Sequence, residues 1–349
     1  MSSVPEISPR TRFAGFEILQ TLGSGGFGIT YLARDLKTNA HYAMKEYFPT
    51  DLASRGGALA LIVPDRHQKR FQQGLDAFYN EANILRGLPK IEGLISVRGL
   101  FKRNGTAYVV MEYVEGVKLT DIILGYLKHD RPFPEDLVRR FVDSIGQALA
   151  VIHKAGLLHR DIKPDNILVR KKDGQPILID FGAAKHSNMR SEIQAYTPSF
   201  AAIEQVPPRL RASTDHYKEG PWTDLFALSM VAYVMMTGRK PVPAELRLRT
   251  IAKGEHDPYV PVTETGGEKY SPELCSVVNQ GCALDPTRRP LDAKEYLAQL
   301  GIDLKPISKT ADPGAQGNRT ITLHIKREVL LLGGLAVLAL LAVTFGLLR

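Results

Sequence analysis

Residues 157–182 read LLHRDIKPDNILVRKKDGQPILIDFG and bring His159, Arg160, Asp161, Lys163, Asn166, Asp180, Phe181 and Gly182 into one short span. Two carboxylates, an amide and an ammonium at this spacing suit chemistry on a metal-bound polyanion. A hard cation such as Mg²⁺ takes carboxylate and amide oxygens rather than His or Cys. Apolar runs at 167–169 and 177–179 flank Lys171, Lys172, Asp173 and Gly174, the pattern of two strands joined by a polar turn. Such a hairpin holds Asn166 at one end and Asp180 at the other, near enough to serve one cation. Alone, Asp161 reads equally well as a turn residue and Asp180 as a strand end, so only the conjunction points to a site.

Other elements must position this stretch. Residues 16–35, FEILQTLGSGGFGITYLARD, alternate apolar and polar side chains on both sides of a glycine cluster, as two strands joined by a turn do. Gly23, Gly25 and Gly28 fit G-x-G-x-x-G, where absent side chains let backbone N–H groups approach phosphate oxygens. An ordinary glycine-rich hairpin explains that motif equally well, although its flanking strands set it apart from the strand-to-helix turn of a dinucleotide fold. Residues 68–88 read as a helix, with Phe71, Leu75, Phe78, Ala82 and Leu85 at three- and four-residue spacing. After Pro134 a long amphipathic helix runs to Gly156, its C-cap, and delivers the chain to His159 and Asp161.

H-R-D-x-x-x-x-N followed by D-F-G resembles the protein kinase family, and the resemblance extends over roughly residues 16–300 with the motifs in the family's order. It implies an α+β, two-lobed fold, with a small mainly β lobe over residues 16–113 and a larger mainly α lobe over 114–300. Residues 1–15 are expected as a tail. The implied cofactors are ATP and Mg²⁺ or Mn²⁺. Asp161 would accept the proton of the substrate hydroxyl, Lys163 offset charge on the γ-phosphate, and Asn166 and Asp180 hold the metal. The run HYAMKE resembles V-A-I-K and makes Lys45 the lysine of the α- and β-phosphates. Buried lysine is costly unless paired, and Glu81 is favoured as its partner over Glu46, Asp76 and Glu92. Leu22, Gly23, Gly25, Gly28, Ala43, Met111, Glu112 and Val114 are the implied ATP-binding residues, Met111 guarding the back of the adenine pocket and the hinge backbone holding the base.

Thr197, Pro198 and Ala202-Ile203-Glu204 resemble the end of a kinase activation segment, with Ile203 replacing the usual proline and Arg289 the expected partner of Glu204. Ser187, Ser191 and Tyr196 are candidate phosphoacceptors there, and Arg160 is of the type that reads a phosphate in this loop. Asp224 is expected to brace the catalytic loop, and Ser229 stands where glycine is usual. Lys163 in DIKPDN points to the Ser/Thr group, and MKEYFP and GPWTDLFAL resemble bacterial eukaryotic-like, or Hanks-type, kinases. The expected activity is ATP- and magnesium-dependent phosphoryl transfer to Ser/Thr hydroxyls of proteins, including the kinase itself. Two alternatives are a membrane-anchored pseudokinase scaffold, against which the intact set of Lys45, Asp161, Asn166 and Asp180 speaks, and a small-molecule kinase, against which the activation-segment residues speak. The interval from Lys45 to Glu81 looks longer than in many kinases and implies an inserted loop of unread purpose.

The chain has 349 residues and 44% apolar content, enough for two lobes sharing a cleft. Its formal charge is +8, but 37 acidic residues are interspersed with the basic ones, so no nucleic-acid footprint is expected. Cys275 and Cys282 lack disulfide-framework or zinc spacing and are expected as reduced thiols. Residues 1–12 lack the apolar core of a signal peptide. Residues 301–328, with Pro306, Pro313, Gly314 and Gly317, read as a linker. Residues 329–348, VLLLGGLAVLALLAVTFGLL, carry no charge, and at 1.5 Å per residue span roughly 30 Å, about a bilayer core. A transmembrane helix is expected there rather than a buried core helix. Lys326 and Arg327 before the span favour a cytoplasmic N-terminal bulk. The membrane lipid and a homodimer, formed through the kinase domain or this helix, are the further expected partners.

Overall fold

The computed structural model describes residues 6–56, 59–129, 131–180, 199–207, 217–265 and 267–306. The expected span at 329–348, the linker beyond residue 306, and Phe181, Gly182, Ser187, Ser191, Tyr196 and Thr197 lie outside these residues. Among the described residues no helix is long and apolar enough to cross a membrane.

The small lobe is built on a six-stranded antiparallel sheet. Its strands are β1 (Arg12–Phe13), β2 (Phe16–Gly25), β3 (Gly28–Asp35) and β4 (His41–Tyr47), followed after a short hairpin, β5 (Ser54–Arg55) and β6 (Leu61–Ile62), and a helix, α1 (Asp65–Gly87), by β7 (Val97–Arg103) and β8 (Thr106–Glu112). The sheet order is β1-β2-β3-β4-β8-β7. One face packs against α1, where Phe71, Leu75 and Phe78 meet Tyr47, Val109 and Met111. The predicted helical spacing is thus the stripe that α1 buries. Gly74 lets α1 approach, because a Cβ there would collide with the Tyr47 hydroxyl.

The other face carries a second core of Ile18, Ile29, Tyr31, Met44 and Tyr108. Residues 6–15, expected as a tail, help to close it: β1 pairs with β2, and Ile7 and Phe13 are buried against the sheet. The reason is aromatic packing, since Phe13 contacts both Phe101 and Tyr108. A stretch rich in Pro and Arg gave too few apolar residues to show this from periodicity.

The chain crosses to the large lobe through β9 (Gly116–Lys118) and α2 (Leu119–Lys128). There α3 (Glu135–Lys154) and α4 (Pro221–Thr237) form the centre, with α5 (Ala244–Ala252), α6 (Pro272–Gly281) and α7 (Ala293–Ala298) around them. Helix α4 is buried from Thr223 to Met236 on every side, so its sequence carries no amphipathic period. It ends at Gly238, whose φ of 66° is the left-handed cap glycine tolerates. Ser229, in place of the usual glycine, fits because it faces Gly281 and hydrogen-bonds the Tyr296 hydroxyl at 2.8 Å. Cys275 and Cys282 are buried and are not joined in a disulfide. The start of the linker lies along α3, where Gln147 donates to the Asp303 carbonyl and accepts from the Lys305 amide.

Candidate active site

The hairpin foreseen around Lys171–Gly174 forms as β10 (Ile167–Arg170) and β11 (Pro176–Leu178), with Ile167 opposite Leu178. Its far side pairs with β9, so the strand leaving the hinge also fixes the catalytic hairpin. The Ile179 amide donates to the Asn166 carbonyl at 3.0 Å, which sets Asp180 next to Asn166 as the spacing predicted.

A cleft of about 920 Å³ opens between the lobes. Leu22, Gly23, Gly25, Gly28, Ala43, Lys45, Met111, Glu112 and Val114 line its upper side, and Asp161, Lys163, Asn166 and Asp180 its lower side. Sequence reasoning missed the apolar lining from Phe78, Ile95, Leu168 and Ile179, and the charged mouth at Lys118 and Asp121. Leu168 and Ile179 carried a usable signal, since each lies in an apolar run next to a site residue. The others depend on which strand neighbours which, information absent from local pattern.

Lys45 Nζ donates to Asp180 Oδ1 across the cleft. Burial disfavours the charge on Lys45, but Asp180, Glu81 and Asp161 outweigh it and hold its pKa above the ordinary value. Glu81 is buried on α1 and acts on Lys45 through this field, and Lys45 hydrogen-bonds Asp180. Of the rival carboxylates, Glu46 bonds Tyr31, Tyr108 and Arg55, and Asp76 bonds Lys102 on the surface.

The Asp161 carboxylate is gripped from two sides. Lys163 Nζ lies 3.0 and 3.2 Å from its oxygens, and Asn166 Nδ2 donates to Oδ2 at 2.8 Å and to the Asp161 carbonyl at 2.8 Å. Both N–H bonds of Asn166 are thereby used, so its amide oxygen is the atom offered to a cation.

Asp224 holds the loop itself. Its oxygens accept from the His159 and Arg160 amides at 2.8 Å each, and from His153 Nε2 at 2.8 Å. Burial pushes this carboxyl upward, yet His153, His159 and the Arg160 amide win and hold it below the ordinary aspartate value. Arg160 between them has φ of 66°, strain that these bonds and the Gln205 bond to its carbonyl over-determine. Its guanidinium, expected to read a phosphate, donates to Glu219 at 2.7 Å. Glu204 and Arg289 form an ion pair at 2.7 Å with both side chains fully buried, and Thr223 also donates to Glu204.

The donor set fits a nucleotide with its metal. Asn166 and Asp180 carry oxygen atoms of the hard kind that a Mg²⁺ ion takes, and where a Cβ would stand on Gly23, Gly25 or Gly26 there is nothing within 4 Å. Gly28 is required for a different reason, because a Cβ there would lie 2.5 Å from the Glu46 carbonyl.

A β-rich lobe over a helical lobe, joined by one hinge and meeting at a cleft with Lys, two Asp and Asn, is the architecture of the protein kinases. Residues 16–299 match the protein kinase domain. The chain is 32% identical over 301 residues to the serine/threonine-protein kinase PknA of Nostoc sp. strain PCC 7120, covering 82% of this chain and 47% of that protein. It is 30% identical over 297 residues to serine/threonine-protein kinase D of Synechocystis sp. strain PCC 6803, covering 82% and 51%. The chain therefore spans about half the length of these curated relatives. A solved structure described as the apo form of PpkA-294 is similar with a TM-score of 0.71 at 33% identity, covering 84% of this chain and 99% of that one. The Mycobacterium tuberculosis PknI kinase domain, at 21% identity and a TM-score of 0.58 over 85% of this chain and 99% of that one, shares the fold. The chain belongs to the protein kinase family, with bacterial Hanks-type Ser/Thr kinases among its relatives.

Proposed function

We propose that this chain transfers the γ-phosphoryl group of ATP, with Mg²⁺, to Ser/Thr hydroxyls of proteins, itself included, while anchored by residues 329–348 with its kinase domain in the cytoplasm. The observation that carries the reading is the Asp161 carboxylate, clasped by Lys163 and Asn166 and lining the same cleft as the Lys45–Asp180 pair.

Lys45 grips the α- and β-phosphates, its charge maintained by the surrounding carboxylates. The glycine turn closes over the phosphates with bare N–H groups. Asn166 and Asp180 would hold magnesium, which would offset negative charge on the phosphate oxygens. Asp161 orients the substrate hydroxyl and accepts its proton, and Lys163 beside it offsets the charge carried by the transferred group. Because that transition state is loose, positioning and electrostatics supply most of the acceleration. The sequence of residues 329–348 supports the anchor.

Incubating the full-length protein with labelled ATP and a generic basic protein, with and without Mg²⁺, tests the reading. Magnesium-dependent phosphoserine or phosphothreonine is expected on both proteins. No label, or label on small molecules alone, would reject it.

A further inference from the structure

The segment that follows β4 does something specific to the glycine turn. Strands β3 and β4 pair as far as Gly28 opposite Tyr47, yet the ladder does not end there. The Phe48 amide donates to the Phe27 carbonyl at 3.1 Å, and the Thr50 amide donates to the Gly26 carbonyl at 3.1 Å. Gly26 and Phe27 are the two residues between β2 and β3, and both line the cleft.

Residues 48–55 are themselves firmly rooted. Phe48 is 1% exposed in the core on the outer face of the sheet, and Leu52 is 1% exposed in the core beneath α1. Between them the Pro49 carbonyl accepts from the Leu52 and Ala53 amides, a tight turn that sends the chain from one core to the other. Arg55 then donates to Glu46, the neighbour of Lys45 on β4, and Asp51 lies 3.6 Å from Arg70 of α1.

We propose that residues 48–55 are a strap that fixes the glycine turn over the phosphate end of the cleft and ties it to α1, with Thr50 and Leu52 as its positioning residues. Glycine loses more conformational freedom on ordering than any other residue, so a turn of this composition is expensive to immobilise on a ligand. Two backbone hydrogen bonds made in advance remove part of that cost and so raise affinity for the part of the ligand under the turn. The proposal rests on the nucleotide reading above, and only the phosphates of the nucleotide should feel it.

The test uses the full-length chain and compares calorimetric affinities for ATP with Mg²⁺ and for adenosine, which lacks phosphates. Thr50→Pro deletes one N–H donor at an exposed position, Leu52→Ala loosens the root, and Thr50→Ser retains the donor. Thr50→Pro and Leu52→Ala are expected to weaken ATP by about three- to tenfold, the worth of one net hydrogen bond. Adenosine affinity should stay within about twofold, and Thr50→Ser should match wild type on both ligands. Equal weakening of both ligands, or of neither, overturns the strap while leaving the nucleotide reading intact. Wild type that binds ATP with Mg²⁺ no better than adenosine overturns both. If Leu52→Ala does not fold, Thr50→Pro alone decides the matter.

Discussion

Replacing Arg289 by methionine removes the hub of a buried polar cluster while keeping most of its volume. The guanidinium gives Nη1 to Glu204 at 2.7 Å and Nη2 to the same carboxylate at 3.3 Å, and its other bonds reach the carbonyls of Ala283, Leu284 and Trp222. It also stands over the Phe226 ring at 4.6 Å. Both partners have 0% exposed side chains, so the variant leaves the Glu204 carboxylate buried without its guanidinium, while Thr223 still donates to it. Breaking a buried pair in this way costs about 3–5 kcal/mol, a large part of the 5–15 kcal/mol that holds a domain together. Trp222, the only tryptophan in the chain, adjoins the cluster, so its fluorescence follows unfolding locally. With a guanidinium slope of about 4 kcal/mol per M, the midpoint should fall by about 1 M at unchanged slope. Glu204→Met with Arg289→Met should cost well under the sum of the two single changes, because neither charge is then stranded. A midpoint within about 0.2 M of wild type, or strict additivity in the cycle, would refute the reasoning.

Asp224→Asn weakens the grip on the His159 and Arg160 amides, and small misplacement of a catalytic group costs about 10²-fold, so steady-state turnover should drop by that order while ATP affinity holds. The folded Asp224 carboxyl is held below the ordinary aspartate value, so its stabilisation is present above the ordinary aspartate range and disappears as pH falls through the folded value. Thermal unfolding against pH should therefore show wild type and Asp224→Asn well separated at neutral pH and converging progressively as pH falls below the ordinary aspartate range. Lys45→Met should lower the transfer rate by about 10²- to 10³-fold with the fold intact by circular dichroism, and an unaffected rate would remove Lys45 from the site. Deleting residues 329–349 should move the protein from a carbonate-resistant membrane fraction to the soluble one, and unchanged retention would contradict the anchor.

Much of the large lobe's site was legible because its residues are close in sequence. His159 to Asp180 is one hairpin with its approaches, and local spacing alone brought Asn166 and Asp180 together. The helix carrying Glu81 was legible from the stripe it buries. What local pattern could not show was the pairing of distant segments. The bonds from Phe48 and Thr50 to the glycine turn are made by backbone N–H groups, which leave no side-chain signature. Glu46, weighed as a partner for Lys45, instead points to the opposite face of β4, where Tyr31, Tyr108 and Arg55 surround it. Alternation along a strand separates neighbours in this way, but deciding which face is the cleft requires the sheet order. The packing of residues 6–15 was illegible for a related reason, since two apolar side chains suffice to anchor a short edge strand on an aromatic core built from other strands.

The most direct test of the central claim is the single-turnover rate of γ-phosphoryl transfer from ATP with Mg²⁺ to a serine- or threonine-containing protein, wild type against Asp161→Asn. The substitution keeps the shape of the group that Lys163 and Asn166 clasp and removes its capacity to take a proton. The account predicts a loss of about 10²- to 10⁴-fold with nucleotide affinity and unfolding midpoint unchanged. A variant within about threefold of wild type would contradict it.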